Sequence, residues 1–302
     1  MPLSIAHITN PVIVPESADL RIAQPITFES MHIAKDMAKD FDVQLFSAQF
    51  QEDADFVPEY FQKTANLERS VLDFGKFKMQ RKLPLIKDIL GRVFNESDAE
   101  YLIYTNVDIT LMPNFYLSLA AIINQGHDAF MINRRRIPKI YSSAEELPMI
   151  WAETGKPHPG FDCFVFHRDL YPKFELGNVC IGVPFIEAAL GHNLYAFAKN
   201  FKLFDNLHLT IHIGMKVMNQ FEEDYYWHNR NEFNQLIEKL KPHLKAGALP
   251  YSDEGFLKRT VKRGLNPSIF TKLALELETK GFTEKANYLL NEIRFKLLGP
   301  KD

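Results

Sequence analysis

Apolar positions along the chain follow two spacings. Short unbroken apolar runs, the length of buried strands, alternate with stretches in which apolar residues return every three or four positions, as on one helix face. Leu3 to Thr9 is a short, mostly apolar run, and it ends in Asn10-Pro11, a turn signal. Thr27 to Phe41 carries Met31, Ile33, Ala34, Met37 and Ala38 on one side and predicts a helix, followed by a second strand over Asp42 to Ala48. Gln51 to about Lys78 is polar and rich in aromatics, which predicts loop and short helix. Leu83 to Phe94 predicts an amphipathic helix leading into the apolar run Tyr101 to Tyr104. A helix over Pro113 to Gln125, closed by Gly126, and a strand over Asp128 to Asn133 come next.

Strand and helix therefore alternate through the first half. That order predicts an α/β fold, a mostly parallel central sheet with helices on both faces. The second half is less regular. Phe161 to Phe166 reads as a strand and Val183 to Leu190 as a helix, with further strands over Leu194 to Ala198 and Leu207 to Ile213. Beyond Gly214 the spacing is helical, over Glu232 to Leu244, Ser268 to Lys280 and Thr283 to Leu298. The expected division is an α/β domain over residues 1–215 and a helical extension over residues 216–302. The last two helices, split by Gly281, form one hairpin. A single hairpin does not make a repeat array, so its expected role is packing on the sheet or on a partner subunit, giving a homo-oligomer.

A hydrophobic content of 46% is enough for a large core and excludes a disordered chain. Net charge is -3 and no dense Lys/Arg block occurs, so no nucleic-acid partner is expected. Cys163 and Cys180 sit in apolar runs without metal-ligand spacing; a disulfide between them is one reading, and buried thiols in a reducing compartment the preferred one. No apolar run is long enough to span a bilayer, and the first residues lack the pattern of a signal peptide. A soluble, cytoplasmic protein is expected.

Four clusters carry candidate chemistry. Thr105-Asn106-Val107-Asp108 follows the apolar run, where open α/β sheets collect ligands. A carboxylate and a nearby amide there are hard oxygen ligands for a divalent cation, or an Asx-type turn; spacing alone does not choose between them. Arg134 to Arg136 end the next strand and present guanidinium forks suited to phosphate or carboxylate, or a solvated basic turn. His158-Pro-Gly-Phe-Asp162 is a tight loop carrying a carboxylate into an apolar strand, where a charge is either paired or functional. On a strand, His208, Thr210 and His212 would share one face and offer imidazole to a metal or phosphate, although a lone histidine is more often structural. No glycine-rich dinucleotide loop, P-loop, zinc-protease motif or nucleophile elbow occurs.

In this order the clusters resemble the nucleotide-diphospho-sugar transferases of the GT-A glycosyltransferase fold, whose single Rossmann-like nucleotide-binding domain would cover residues 1–215. In that superfamily an apolar strand ends in Asp-x-Asp, which Asn106-Val107-Asp108 resembles with an amide in place of the first acid. The resemblance implies that Asp108, with His208 or His212, holds manganese or magnesium against a diphosphate. It implies that Asp162 is the catalytic carboxylate at the acceptor hydroxyl. Asn10, Lys82 (or Arg81), Thr105, Asn106, Arg134 and His158 would bind substrate. The implied partners are a nucleotide-sugar donor and a carbohydrate or other hydroxyl acceptor. A non-catalytic sugar- or nucleotide-binding or scaffold protein is the main alternative. A sugar-phosphate nucleotidyltransferase ranks lower, because Asn10-Pro-Val-Ile-Val-Pro lacks a glycine-rich basic loop.

Overall fold

The computed structural model of the chain describes residues 2–215, 222–244 and 246–265. Its strands are β1 Ser4–Thr9, β2 Asp42–Ser47, β3 Gln62–Lys63, β4 Tyr101–Thr105, β5 Ile109–Leu111, β6 Ala129–Ile137, β7 Lys156–His167, β8 Phe201–Phe204 and β9 Thr210–Ile213. The helices are α1 Leu20–Met37, α2 Ile86–Glu96, α3 Phe115–Asn124, α4 Leu147–Ala152, α5 Ile186–Phe197, α6 Glu223–Leu240 and α7 Phe256–Leu265. The strands form one nine-stranded sheet in the order β3-β2-β1-β4-β7-β6-β9-β5, and β8 also pairs with β6. The pairings of β1 with β2 and β4, β2 with β3, and β6 with β8 and β9 are parallel; β7 runs antiparallel to β4 and β6, and β5 to β9. The α/β class and the mostly parallel sheet are as the alternation predicts.

The unbroken apolar runs are buried on both faces, as parallel-sheet strands require. Leu102 and Tyr104 of β4, Ala129 and Met131 of β6, and Phe164 and Phe166 of β7 pack with α2, α5 and α6. Their neighbours Tyr101, Ile103, Phe130, Ile132, Cys163 and Val165 face α1 and α3. Cys163 and Cys180 are free, buried thiols in separate apolar clusters, and burial pushes the Cys180 thiol up to about 12.

Several expectations are corrected. The strand expected over Leu194 to Ala198 is the last part of α5, and the strand follows at Phe201–Phe204. An apolar run of five has no clear period, and α5 wins because Leu190 and Leu194, one turn apart, both enter the core. α1 starts at Leu20, before the expected Thr27, and carries Pro25 inside. α6 starts at Glu223, well before Glu232. Its first turn is held by Tyr225, which stacks on Phe77 at 4.1 Å between ring centroids. Three-residue β5 was not foreseen at all. The hairpin expected over residues 268–298 lies outside the described residues. Among the described residues no helix is long and apolar enough to cross a membrane.

Candidate functional site

The sheet's connectivity assembles the site. β1 and β4 are parallel, with Ile8 beside Tyr104, so Asn10 and Asn106 leave the sheet at the same edge. β7 passes β4 in the opposite direction with Cys163 beside Thr105, which brings Asp162 to Asn106. The β6–β7 register shifts on either side of Asn133, and Arg134 follows that irregularity. β5 turns back after Asp108 and pairs Ile109 with His212. Residues far apart in sequence thus converge at the carboxyl end of β4.

Asp162 is the most heavily partnered group. Its Oδ1 accepts from Asn106 Nδ2 at 2.8 Å, and its Oδ2 pairs with the Arg134 guanidinium. Asn106 Oδ1 in turn accepts from the Tyr104 hydroxyl at 2.9 Å. Arg134 Nη2 lies 3.3 Å from His158 Nε2, while His158 Nδ1 takes the Gly160 N–H at 2.7 Å. A neutral imidazole has one acceptor nitrogen, so the ring can accept only one of these two donors fully. A Cβ on Gly160 would stand 2.9 Å from the His158 ring and 3.1 Å from Glu187 Oε2, so any side chain at 160 must displace one of them.

Burial opposes the charge of Arg134, but Asp162, Asp108 and Glu187 outweigh it and hold its pKa above the ordinary value. Burial likewise opposes the charge of Asp108, yet His212 and Arg134 keep that carboxyl below the usual carboxylate range. Tyr104 is pushed the other way, upward, by burial and by the charges of Asp108 and Asp162. Asp108 is thus held as a carboxylate among groups that favour the anion.

Asp108 Oδ2 lies 3.2 Å from His212 Nε2, and His212 Nδ1 lies 3.4 Å from the Gly214 carbonyl. Both ring nitrogens therefore face acceptors. A neutral ring that donates from Nδ1 to the carbonyl turns a lone pair toward the carboxylate, an arrangement that suits a cation taking one nitrogen and one oxygen. The donor types fit manganese or magnesium. Among the described residues no three His, Cys, Asp or Glu side chains cluster as a metal site, so a cation here would draw its remaining ligands from substrate or water. His208 is not brought to Asp108. It lies in the loop before β9, beside the Glu153 backbone and Arg135, and burial and that arginine lower its pKa.

The other expected residues are spread along the same edge or behind it. Asn10 Nδ2 donates to the Ala48 carbonyl at 2.5 Å and ties the ends of β1 and β2 together. Lys82 reaches the rim, with Nζ 2.6 Å from Glu52 Oε1 and 4.0 Å from the centre of the Phe50 ring. Thr105 faces the interior instead. Its hydroxyl is 2.9 Å from His7 Nε2, and His7 Nδ1 is 2.9 Å from the Tyr116 hydroxyl.

Sequence reasoning passed over Tyr104, Glu187, Gln24 and Asp53. Tyr104 looked like core, and only its hydroxyl reaches the site. Glu187 opens α5 just after Phe185, whose φ of +83° is uncommon for so bulky a residue. An acid in a first helical turn was the available signal. Gln24 holds the loop after β1 by bonding both the N–H and the carbonyl of Val12, at 2.9 and 2.8 Å. Asp53 accepts the Ile13 N–H at 2.7 Å, and burial raises its pKa.

No protein-family model matches the chain, and no curated protein matches it in sequence. Among solved structures, S. aureus TarS 1-349 in complex with UDP-GlcNAc is 8% identical, over 98% of this chain and 80% of that one, with a TM-score of 0.49. TarS 1-349 in complex with UDP is 9% identical over 99% and 93%, with a TM-score of 0.47. The 4-diphosphocytidyl-2C-methyl-D-erythritol synthase of Anaerococcus prevotii is 10% identical over 76% and 96%, with a TM-score of 0.39. Likeness at this level decides nothing about the chemistry of this chain.

Proposed function

We propose that this chain is a glycosyltransferase that moves a sugar from a nucleotide-diphosphate donor to an acceptor hydroxyl with the help of a divalent cation. The observation that carries the reading is the carboxylate of Asp108 beside His212, at the carboxyl end of a parallel strand and next to the Asn106–Asp162–Arg134 cluster. Ligands of open α/β sheets bind at that edge. The loop of residues 10–14, shaped by Gln24 and Asp53, offers a neighbouring place for the nucleoside, and Lys82 stands at its rim.

When bound, the cation would act as a Lewis acid that offsets charge on the leaving diphosphate. Asp108 and His212 would hold it. Asp162 would face the acceptor hydroxyl; each of its oxygens keeps a lone pair beyond the bonds to Asn106 and Arg134, so it can still accept a proton. Arg134 would hold that carboxylate in place, and Tyr104 would fix Asn106.

The test is thermal stability of the purified chain with UDP, GDP, CDP, ADP or TDP, each with and without manganese. A nucleotide present at ~100 times its dissociation constant should stabilise by roughly 2.7 kcal/mol. A response to one nucleotide only with metal, lost in Asp108→Ala, is the expected result. Well-folded protein that responds to none would sink the donor assignment.

A further inference from the structure

The three consecutive arginines after Asn133 have different fates. Arg134 is bound to Asp162. Arg135 is spent on the Thr154 and Gly155 carbonyls and on Asn206 Oδ1. Arg136 is held more loosely, by a single backbone acceptor among the described residues. Its Nη1 donates to the Met215 carbonyl at 2.7 Å, its Nε is buried without a partner, and among the described residues no carboxylate pairs with it.

Its position is fixed by the sheet. β6 and β9 are parallel here, with Arg136 beside His212 and Ile137 beside Ile213. Ile137, Ile211 and Ile213 pack against Ile26 of α1, on one face. Alternation along the strands therefore sends Arg136 and His212 to the opposite face, where His212 meets Asp108. A half-buried guanidinium thus stands next to the candidate site, without a counter-ion among the described residues. Burial and the charge of Arg134 both lower its pKa from the ordinary value.

We propose that Arg136 is an anion-receiving residue of this site, taking a phosphate oxygen of the ligand beside His212. A guanidinium with N–H donors unused among the described residues, its Nε already desolvated, is suited to phosphate. The inference rests on the reading above only in placing the ligand at this edge. The phosphate has two possible sources, the diphosphate of the donor or a phosphate carried by the acceptor.

Calorimetric titration of the full chain with manganese separates them. The probes are inorganic pyrophosphate, and inorganic phosphate added to pyrophosphate-saturated protein. Arg136→Gln should weaken one of them about tenfold or more, and Arg136→Lys should keep part of the affinity. Loss with pyrophosphate assigns Arg136 to the donor diphosphate. Loss only with the added phosphate assigns it to an anionic acceptor. Unchanged affinity for both, or native protein that binds neither, overturns the inference. The transferase reading fails separately, if Arg136-dependent pyrophosphate binding is found but none of the five nucleoside diphosphates binds.

Discussion

Asp108 Oδ2 and His212 Nε2 face each other at 3.2 Å because β5 and β9 pair antiparallel with Ile109 beside His212. A strand of three residues is what places the carboxylate and the imidazole together. Replacing either group by alanine should leave the fold intact, since both side chains are partly exposed and neither belongs to an apolar cluster. Nucleoside diphosphate affinity in the presence of manganese should fall by about 10- to 100-fold in each variant, measured by calorimetry. Equal affinity with and without metal in the native chain would remove the cation from the reading.

Asp162 and Arg134 form a largely buried ion pair, with side chains 11% and 15% exposed. Arg134→Ala leaves that carboxylate without its cation and should cost about 3 kcal/mol of stability. Asp162→Asn in the same background should restore part of the loss, giving a coupling of about 2 kcal/mol in a double-mutant cycle read by urea unfolding. Simple additivity would show that the pair contributes no mutual stabilisation.

Asn106 stands where the resemblance to Asp-x-Asp puts an amide for the first acid, and the contacts around it favour the amide. Its Nδ2 donates to Asp162 and its oxygen accepts from Tyr104. Asn106→Asp removes the donor and sets a second carboxylate against Asp162. That variant should be less stable at pH 7 by about 1–3 kcal/mol, and less active than the native chain. Higher activity in Asn106→Asp would mean that the amide is a defect of this chain rather than a fitted part.

His7 is fully buried, and burial lowers its pKa from 6.5 to about 3. His192 is lowered, also by burial, from 6.5 to about 4. Above pH 6.5 both are neutral in either state and cost nothing. Below it the unfolded chain binds protons that the folded chain refuses, so stability falls with pH. Each histidine contributes a slope of about 1.4 kcal/mol per pH unit, over a window that closes near pH 4 for His192 and pH 3 for His7. Urea unfolding between pH 7 and 5 should show a shallower slope in His7→Gln by that amount.

The local part of the architecture was legible in the sequence. Tyr101 to Tyr104 is a strand because an unbroken apolar run needs two buried faces, and Asp42 to Ser47 and Phe161 to Phe166 are largely apolar stretches that follow it into the sheet. Ambiguous stretches failed for the same reason. Leu194 to Phe197 has no period of its own, and packing on the sheet made it helix.

Residue types and spacing brought Asn106, Asp108, Arg134, His158, Asp162 and His212 forward as candidates, and only the resemblance to the GT-A transferases joined them in one chemistry. Their contacts were beyond that reach. The antiparallel passage of β7 decided that Asp162 meets Asn106, and the shifted register at Asn133 that Arg134 follows to the same carboxylate. Which histidine joins Asp108 was settled by register: His212 pairs beside Ile109, while His208 falls in the loop before β9. Thr105, one residue from Tyr104, turns to the opposite face and bonds His7. Sequence determines side-chain chemistry and local period; strand partners and register are non-local, and a shift of one residue moves every side chain to the other face.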